Sequence, residues 1–354
     1  MKKTTPNIVI ISFFVFIFCI SSSLVSLLIN PKESNSTELS LISPDTFSET
    51  AETYFSENIF CKRFMRFLKA NVAYNILFQT ENNGLIIKDG NITKTEEFKE
   101  DVLRRSLEIF RKISEDFHEK KIIAILPGKN EYFFSNETFF HFYNNTRDEV
   151  KNEFRSEFTV IDSKDDFNIS SFFNTDHHIK QPAMLLLKKR IAKELQSKSD
   201  VEEPIRFTTI TDSFVGVLGD QSAIPIRKDK LEYYESSIIN HAAVKIYDDG
   251  IFKDGKVYCD EFKNEYNFFF GGNKAIIKIS NDIDANKSSD KRLVIFRDSY
   301  ASALAPLLIE DFSEIILIDL RIIDYEKAID IVGTDGNVLL LYGTQSVCCD
   351  GISR

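Results

Sequence analysis

Two spacings of apolar residues recur along the chain and predict where its helices and strands lie. Apolar positions at helical spacing predict helices over residues 53–77, 97–118 and 181–195. Short continuous apolar runs predict buried strands. These strands are 121–126, 158–162, 292–296, 315–318 and 338–342, with two further helices, 300–309 and 325–331, between the last three. Because strands alternate with helices, we expect an α/β fold with a mainly parallel sheet covered on both faces.

The stretch from about residue 201 to 286 has a different pattern. Its apolar runs are short and are separated by Gly, Asp and Asn, which is typical of strands joined by turns rather than of βα units. We therefore expect a β-rich insertion or lid within the α/β domain.

The N-terminal region predicts a membrane anchor. Residues 8–29 contain no charged side chain, and this length is enough for a helix to cross a bilayer. Lys2 and Lys3 precede the segment, which indicates a cytoplasmic tail over 1–7. Residues 30–50, rich in Ser, Thr, Glu and Pro, would form a stalk, and 51–354 an extracytoplasmic domain at the bacterial cell surface.

A cleaved signal peptide, with residues 8–20 as its apolar region, is the alternative to the anchor. No small-residue cleavage site follows, and the apolar run continues to Ile29. The pattern therefore favours an uncleaved single-pass anchor, and both interpretations place the body of the protein outside the cytoplasm.

Charge and cysteine content narrow the function classes. The 354-residue chain has a formal net charge of −10, which argues against a general nucleic-acid binder, because attraction to phosphates requires a basic face. The five cysteines show no metal-ligand spacing. We assign no mechanism to the adjacent Cys348 and Cys349, and predict neither a metal nor a cofactor.

Three short segments carry candidate chemistry. Asp176 and His178 are two residues apart before a predicted helix, so a carboxylate could orient an imidazole that acts as a base. Ser299 follows a predicted strand at the start of a helix, where backbone N–H groups could stabilise an oxyanion. Gly272 and Asn273 could supply further donors. The structural alternatives are a helix cap formed by Asp176, a cap formed by Asp298 or Ser299, and an ordinary Gly-Gly turn.

Two cations also follow predicted strands. Arg321 and Lys129 could each contact an acyl carbonyl or an acidic sugar. The alternative for Arg321 is a structural ion pair with Asp319 or Asp298, and a structural role is equally open for Lys129.

Together these segments resemble the DHHW family of exported bacterial proteins. The resemblance rests on Asp-His-His178, on Tyr266 with Phe-Gly-Gly-Asn273, and on Leu-Val-Ile-Phe-Arg-Asp-Ser-Tyr300, and it extends from about residue 78 to 344. That family groups with SGNH-like proteins, which include the alginate O-acetylation factors. One departure is Ile179, where the family signature has Trp.

The resemblance implies a three-layer α/β/α sandwich of SGNH type in which the acid and base precede the nucleophile. By position it assigns Ser299 as the nucleophile, His178 as the base and Asp176 as its orienting acid, with Gly272 and Asn273 as oxyanion donors. The implied function is a serine esterase or O-acetyltransferase. Its substrate would be an acyl ester or a cell-envelope or exported polysaccharide, and its acyl donor could be a membrane protein.

Two other functions compete with this one. A non-catalytic carbohydrate-binding or scaffold protein of the cell envelope could retain the same fold. A metal-dependent phosphoesterase is suggested by the letters Asp-His-His, but it would need further Asp ligands to hold two metals. The sequence has no such ligand set, so this last function is disfavoured.

Overall fold

The fold is described from a computed structural model covering residues 62–133, 141–197, 205–259, 265–281 and 292–354, together with Ile17 and Ser21. Apart from those two residues, the proposed anchor (8–29) and stalk (30–50) lie outside the described residues. Within the described residues, no helix combines the length and the apolar character that crossing a bilayer requires.

The chain divides into two units. The first comprises residues 1–79 and 222–224, and the second the remainder. In the first unit an α-helix, Lys62–Asn71, continues into a π-helical turn, Val72–Ile76.

The strands of the described residues form three sheets. They are β1 (Glu81–Asn82), β2 (Leu85–Lys88), β3 (Asn91–Lys94), β4 (Lys121–Leu126), β5 (Thr159–Asp162), β6 (Phe207–Phe214), β7 (Asp229–Tyr234), β8 (Ala243–Asp248), β9 (Ile251–Gly255), β10 (Ile276–Ser280), β11 (Arg292–Arg297), β12 (Glu314–Ile318) and β13 (Asn337–Gly343). The eight-stranded sheet has the order β5-β4-β13-β11-β12-β10-β8-β9, and β1–β3 and β6–β7 form two small antiparallel sheets.

Helices separate many of these strands. Beyond Lys62–Asn71, the described residues contain the α-helices Glu100–Asp116, Asn130–Phe133, His141–Phe154, Leu185–Glu194, Val217–Ser222, Ser237–His241, Ala301–Leu308 and Tyr325–Val332. Short 3-10 segments occur at Lys164–Asp166, Ile169–Ser171, Gln181–Met184, Glu265–Phe268 and Ile309–Asp311, and a π-helical turn occurs at Ser346–Asp350.

The central sheet is mostly parallel. Strands β5, β4, β13, β11 and β12 run parallel to one another, whereas β10, β8 and β9 extend the sheet beyond β12 with antiparallel pairing. The sequence therefore predicted the α/β class correctly. The 201–286 region is β-rich, and three of its strands belong to the central sheet.

Alternate side chains of the central strands enter two separate cores. On β4, Ile122 and Ala124 pack in one cluster with the helices Leu185–Glu194 and Ala301–Leu308. Ile123 and Ile125 pack in the other, with the helices Glu100–Asp116 and Tyr325–Val332. This alternation follows from the two-residue period of a strand, and it places helices on both faces of the sheet.

The parallel strands bring four loops to one edge. Because the carboxyl ends of neighbouring parallel strands meet there, the segments after β4, β11, β12 and β13 are close together. They carry Lys129, Ser299, Arg321 and Gln345, respectively. The sheet thus gathers residues from distant parts of the sequence at one location.

Candidate active site

Three polar side chains form a continuous hydrogen-bonded chain at this edge. His178 Nδ1 lies 2.6 Å from Asp176 Oδ1, and His178 Nε2 lies 2.8 Å from Ser299 Oγ. Asp176 is fully buried, His178 is nearly so, and Ser299 is half-buried. Such an arrangement could act as a serine nucleophile, a histidine base and an orienting carboxylate, and its Ser299–His178 contact joins residues 121 positions apart in sequence.

Backbone and side-chain donors fix the Asp176 carboxylate. The His178 amide donates to Oδ1 at 3.0 Å, and the Val217 amide donates to Oδ2 at 2.9 Å. Burial by itself would raise the pKa of this carboxyl, but the charges of His178 and His177 and the hydrogen bonds from His178 outweigh it and hold the pKa well below its usual range. Asp176 therefore remains an anion at neutral pH.

A glycine makes room for this carboxylate. A Cβ atom added to Gly216 would lie 2.3 Å from Asp176 Cβ and 2.4 Å from its Oδ2. Such distances are far inside van der Waals contact. Gly216 thus allows the backbone to approach closely enough for the next amide, that of Val217, to reach the carboxylate.

Two buried, oppositely charged groups hold the loop that carries Asp176. The Lys129 ammonium donates to four backbone carbonyls: Ile92 at 2.6 Å, Phe173 at 2.7 Å, Asn174 at 2.9 Å and Asp176 at 3.2 Å. On the amide side of the same loop, the Asp229 carboxylate accepts hydrogen bonds from the amides of Asn174 and Thr175 and from the Thr175 hydroxyl.

This environment also changes the titration of the lysine. Burial lowers the pKa of Lys129 to about 7, with Asp229 and Asp176 opposing the shift. Lys129 borders a cavity next to Ser299, but its ammonium donates three hydrogen bonds to the loop and a fourth to Ile92 in β3.

The turn after β11 positions Ser299. Asp298 is buried; its Oδ1 accepts from the Tyr300 amide at 2.9 Å, and its Oδ2 accepts from the Gly343 amide and the Ser346 hydroxyl, each at 2.7 Å. Asp298 therefore ties the start of the Ala301–Leu308 helix to the end of β13. Ser299 is left with its hydroxyl directed at His178.

Aromatic rings enclose the imidazole. The Tyr266 ring stacks on His178 with centroids 3.8 Å apart and an interplanar angle of 12°. The His177 ring lies on the imidazole as well, at 4.0 Å, and the Tyr300 hydroxyl donates to the His177 carbonyl at 3.1 Å. The His177 side chain is 39% exposed; its partial burial, followed by the proximity of His178, lowers its pKa, and Asp176 opposes this effect.

Two arginines lie at the carboxyl ends of neighbouring strands: Arg297 is the last residue of β11, and Arg321 follows β12. Arg321 makes a bidentate pair with Asp319, with Nε at 2.8 Å from Oδ1 and Nη2 at 2.6 Å from Oδ2. Arg297 is fully buried and donates to the Ser302 hydroxyl at 3.0 Å. Burial lowers the pKa of Arg297, and Asp319 opposes this effect. The Arg321–Asp319 pair is one of the two structural pairings that the sequence left open.

Two cavities meet at Ser299. One, of about 120 Å³, is lined by polar residues that include Glu96, Asn130 and Gln345. The other, of about 300 Å³, is lined by Tyr266, Asn267, Phe269, Gly272 and Asn273, among others. Ser299, His177 and Arg321 line both cavities.

The structure thus brings the two candidate oxyanion donors to the same cavity as Ser299. Gly272 has a left-handed φ of +91°, and its amide donates to the Phe269 carbonyl at 3.2 Å. Asn273 is exposed at the cavity wall. Ile179, which stands where the family signature has Trp, is fully buried in the core and pairs with Phe172.

Asp176, His177 and His178 could in principle hold a metal ion, since their ligand atoms lie within 4.8 Å of one another. The hydrogen bonds already described compete with this role. Asp176 Oδ1 and both ring nitrogens of His178 are engaged in the chain that ends at Ser299. The donor set therefore fits a serine mechanism better than a metal centre.

Several contributors were missed from the sequence alone. Asp229 and Gly216 lie some forty or more positions from Asp176, and no local pattern connects either of them to it. Tyr266 was noted only as part of the family resemblance, and its stacking on His178 required the tertiary structure.

No protein-family model matches the chain, and no curated protein matches it in sequence. Its fold does match solved structures. A DHHW family protein from Eubacterium siraeum aligns with 75% of this chain and 93% of its own, at 18% identity and a TM-score of 0.59. PatB1 from Bacillus cereus aligns with 75% of this chain and 98% of its own, at 17% identity and a TM-score of 0.59.

The structure of PatB1 from Bacillus cereus with a sulfonyl adduct aligns with 76% of this chain and 100% of its own, at 17% identity and a TM-score of 0.58. At such low identities the similarity concerns the fold alone. The resemblance to a DHHW family protein, inferred from the sequence motifs, is thereby confirmed at the level of the fold.

Proposed function

We propose that this protein is an SGNH-type serine acyl-ester enzyme, an esterase or O-acetyltransferase that acts on a cell-envelope or exported polysaccharide. The observation that carries the proposal is the continuous hydrogen-bonded chain from Asp176 through His178 to Ser299. It ends at the junction of two cavities, where a substrate can reach the hydroxyl.

In the first half-reaction, Ser299 Oγ attacks the carbonyl carbon of the acyl ester while His178 Nε2 takes the hydroxyl proton. Asp176 stabilises the resulting imidazolium and keeps Nδ1 protonated. The tetrahedral intermediate collapses when the bond to the leaving alkoxide breaks and His178 returns its proton to that oxygen. The acyl group then remains on Ser299 as an ester.

In the second half-reaction, His178 removes a proton from the acceptor hydroxyl, which attacks the acyl-enzyme carbonyl. Breakdown of this intermediate releases the acylated product, and the proton returns to Ser299 Oγ. Water as the acceptor makes the enzyme an esterase, and a sugar hydroxyl makes it an O-acetyltransferase. Exclusion of water would favour transfer, since water competes for the acyl-enzyme.

Charge develops on the carbonyl oxygen in both half-reactions. We assign its stabilisation to the Ser299 amide and to the Asn273 side chain, which borders the same cavity as Ser299. Gly272, the other candidate from the sequence, already donates its amide to the Phe269 carbonyl and serves to shape the turn. Arg321 lines this cavity too, and its bidentate pair with Asp319 keeps its guanidinium in place. Preorganised donors of this type are often the largest catalytic contribution in acyl transfer.

The fold similarity to PatB1 with a sulfonyl adduct supports this proposal. Sulfonyl reagents react with activated nucleophiles, and the 2.8 Å distance between Ser299 Oγ and His178 Nε2 supports Ser299 as the hydroxyl that would react. We extend the proposal to the N-terminal region. Residues 8–29 would anchor the chain in the membrane with its body outside the cytoplasm, within reach of a membrane acyl-donor protein.

The test is acylation of the full-length protein by an activated acetyl ester, followed by intact-mass measurement and peptide mapping. We expect one acetyl adduct on Ser299 that is absent from Ser299→Ala. The matched control is Ser156→Ala, at an exposed serine remote from the site. A folded protein that takes no acetyl group and hydrolyses no ester would favour the carbohydrate-binding or scaffold function instead.

A further inference from the structure

The smaller of the two cavities at Ser299 is not used by the acyl-transfer chemistry. We call it the Glu96 cavity; it includes Thr93, Glu96, Asn130, Gln345, Asp350 and Ser299. Thr93 lies in β3 and Glu96 just after it, and Asn130 begins the helix that follows β4. Gln345 and Asp350 belong to the segment after β13, and Ser299 follows β11. The cavity is therefore assembled from segments far apart in sequence, directly beside the nucleophile.

Its walls present two hydrogen-bond acceptors to which no described residue donates: an accessible oxygen of Glu96 and a buried oxygen of Gln345. Glu96 Oε2 accepts from Asn130 Nδ2 at 3.1 Å and from the Tyr143 hydroxyl, whereas Glu96 Oε1 accepts from none of the described residues. Gln345 is 6% exposed. Its Nε2 donates to the Tyr300 hydroxyl at 3.0 Å, and its buried Oε1 has no partner within the described parts of the chain. A buried acceptor without a donor is costly unless a ligand or water supplies one.

We propose that the Glu96 cavity is a sugar-binding subsite, in which Glu96 and Gln345 accept hydrogen bonds from the hydroxyl groups of one neutral sugar residue. The inference rests on the proposed function and specifies its substrate class. The polymer would pass Ser299 with one residue held in this cavity. Since Ser299 and His177 border both cavities, the sugar and the acyl group would meet at the nucleophile.

The charges around the cavity favour a neutral sugar over an acidic one. Among its cations, Lys129 is bound to backbone carbonyls and Arg321 is paired with Asp319. Lys94 is exposed, and Glu96 and Asp350 contribute negative charge. A site for a carboxylate or phosphate group needs cations that are free to make bidentate or close contacts, and the described lining offers no buried one.

Glu96 is suited to hold a hydroxyl group near neutral pH. Burial raises the pKa of Glu96 to about 7, opposed by its hydrogen bond from Tyr143. Protonated or ionised, the carboxyl group retains acceptor capacity for a sugar hydroxyl. Glu96 is thereby a specificity-determining residue rather than a participant in bond cleavage.

The experiment is protection of Ser299 from a sulfonyl fluoride by neutral oligosaccharides, measured on the full-length protein. The probes are cellopentaose and chitopentaose, with oligogalacturonate as the acidic comparison. We expect a neutral oligosaccharide to slow the labelling of Ser299. In Glu96→Gln the concentration needed for half-protection should rise on the order of ten-fold, because a hydrogen bond to a carboxylate is weakened.

Two further variants keep the test decisive. Glu97→Gln removes the same charge from an exposed neighbour that does not line the cavity, and its half-protection concentration should match that of the wild type. Asp350 lies at the exposed end of the cavity. The Asp350→Asn variant should therefore fold normally, and a neutral oligosaccharide should protect its Ser299 less well than that of the wild type. Thermal unfolding of each variant identifies any loss of structure.

The outcomes separate the two proposals. If the sulfonyl fluoride does not label Ser299 in the folded wild type, the proposed serine chemistry fails. If labelling occurs but neither neutral oligosaccharide slows it, or if Glu96→Gln and Asp350→Asn are protected as well as Glu97→Gln, the subsite inference is overturned. Protection by oligogalacturonate alone would also overturn it.

Discussion

Lys129→Met tests whether the buried ammonium positions the acid–base loop. The substitution keeps most of the aliphatic volume but removes the donor to four backbone carbonyls. One of these is the carbonyl of Asp176 itself. We expect the loop to lose its defined position relative to Ser299 while the surrounding core stays packed.

The effect on stability should be small because two opposing contributions nearly cancel. The pKa of Lys129 falls from 10.5 to about 7 in the folded protein, so holding the ammonium there costs about 5 kcal/mol. Removing it leaves the buried carbonyls of Phe173 and Asp176 without this donor, at a cost of roughly 1–3 kcal/mol each. The free energy of unfolding should therefore change by no more than about 3 kcal/mol.

The effect on catalysis should be much larger. A displacement of about 1 Å in a catalytic group can lower the rate about 100-fold, and Lys129 holds the segment that carries Asp176 and His178. We expect kcat for hydrolysis of 4-nitrophenyl acetate to fall about 100-fold, with a smaller change in KM. Urea unfolding of the same preparation measures stability, and Lys253→Met, on the exposed strand β9, is the control.

A variant with wild-type kcat would refute this reasoning, because the loop would then keep its geometry without the ammonium. The reasoning would also be refuted if the variant lost only as much activity as its unfolded fraction, calculated from the urea unfolding curve, accounts for. In that case Lys129 would contribute to folding without positioning the catalytic loop.

The site supports three further predictions. Gly216→Ala should lower kcat about 100-fold, because the added Cβ would overlap Asp176; steady-state kinetics of the folded variant measures this. Asp176→Asn should lower kcat about 10⁴-fold. It should also make the free energy of unfolding depend less on pH in the acidic range. The depressed pKa of Asp176 means that its stabilising contribution is present above about pH 4 and is lost as the pH falls below that value, which urea unfolding at several pH values will detect. Tyr266→Phe should retain the stacking on His178 and most of the activity, whereas Tyr266→Ala should lower kcat about ten-fold; equal losses would exclude a role for the ring.

The central strands could be predicted because their sequences leave little choice. Strands β4, β11 and β13 are buried on both faces and therefore appear as continuous apolar runs. The helices between them have one apolar face, which gives the 3.6-residue period. The parallel order and the common carboxyl edge then follow from the βα alternation.

The hairpins that join β1 to β2 and β2 to β3 were missed, and the β8–β9 hairpin was predicted only within a region of short strands joined by turns, although the sequence contains a signal for all three. Asn83–Gly84, Asp89–Gly90 and Asp249–Gly250 each form a two-residue connection between neighbouring strands, and all six residues have positive φ. These dipeptides favour the type I′ turn that tight hairpins require. The strands they join have two to six residues, too few for the apolar periodicity to be recognised.

The three candidate residues that meet at the site could be singled out from the sequence, whereas the residues that hold them in place could not. Ser299 follows a strand, and Asp176 and His178 have suggestive spacing, so local patterns identify them. Asp229 accepts hydrogen bonds from backbone amides of the loop. Gly216 acts by having no side chain, which leaves room for the Asp176 carboxylate. Neither property leaves a pattern in the sequence, because both depend on which segments the fold places side by side.

The cost of this arrangement favours an enzyme over a non-catalytic scaffold. The fold buries the Asp176 carboxylate completely and holds it with His178, the Val217 amide and a glycine that only just admits it. A nearly buried ammonium and a second carboxylate then fix the same loop from opposite sides. Apolar residues of similar size would stabilise a scaffold at least as well. Costly polar groups that converge on one hydroxyl, beside two open cavities, are typical of sites selected for chemistry.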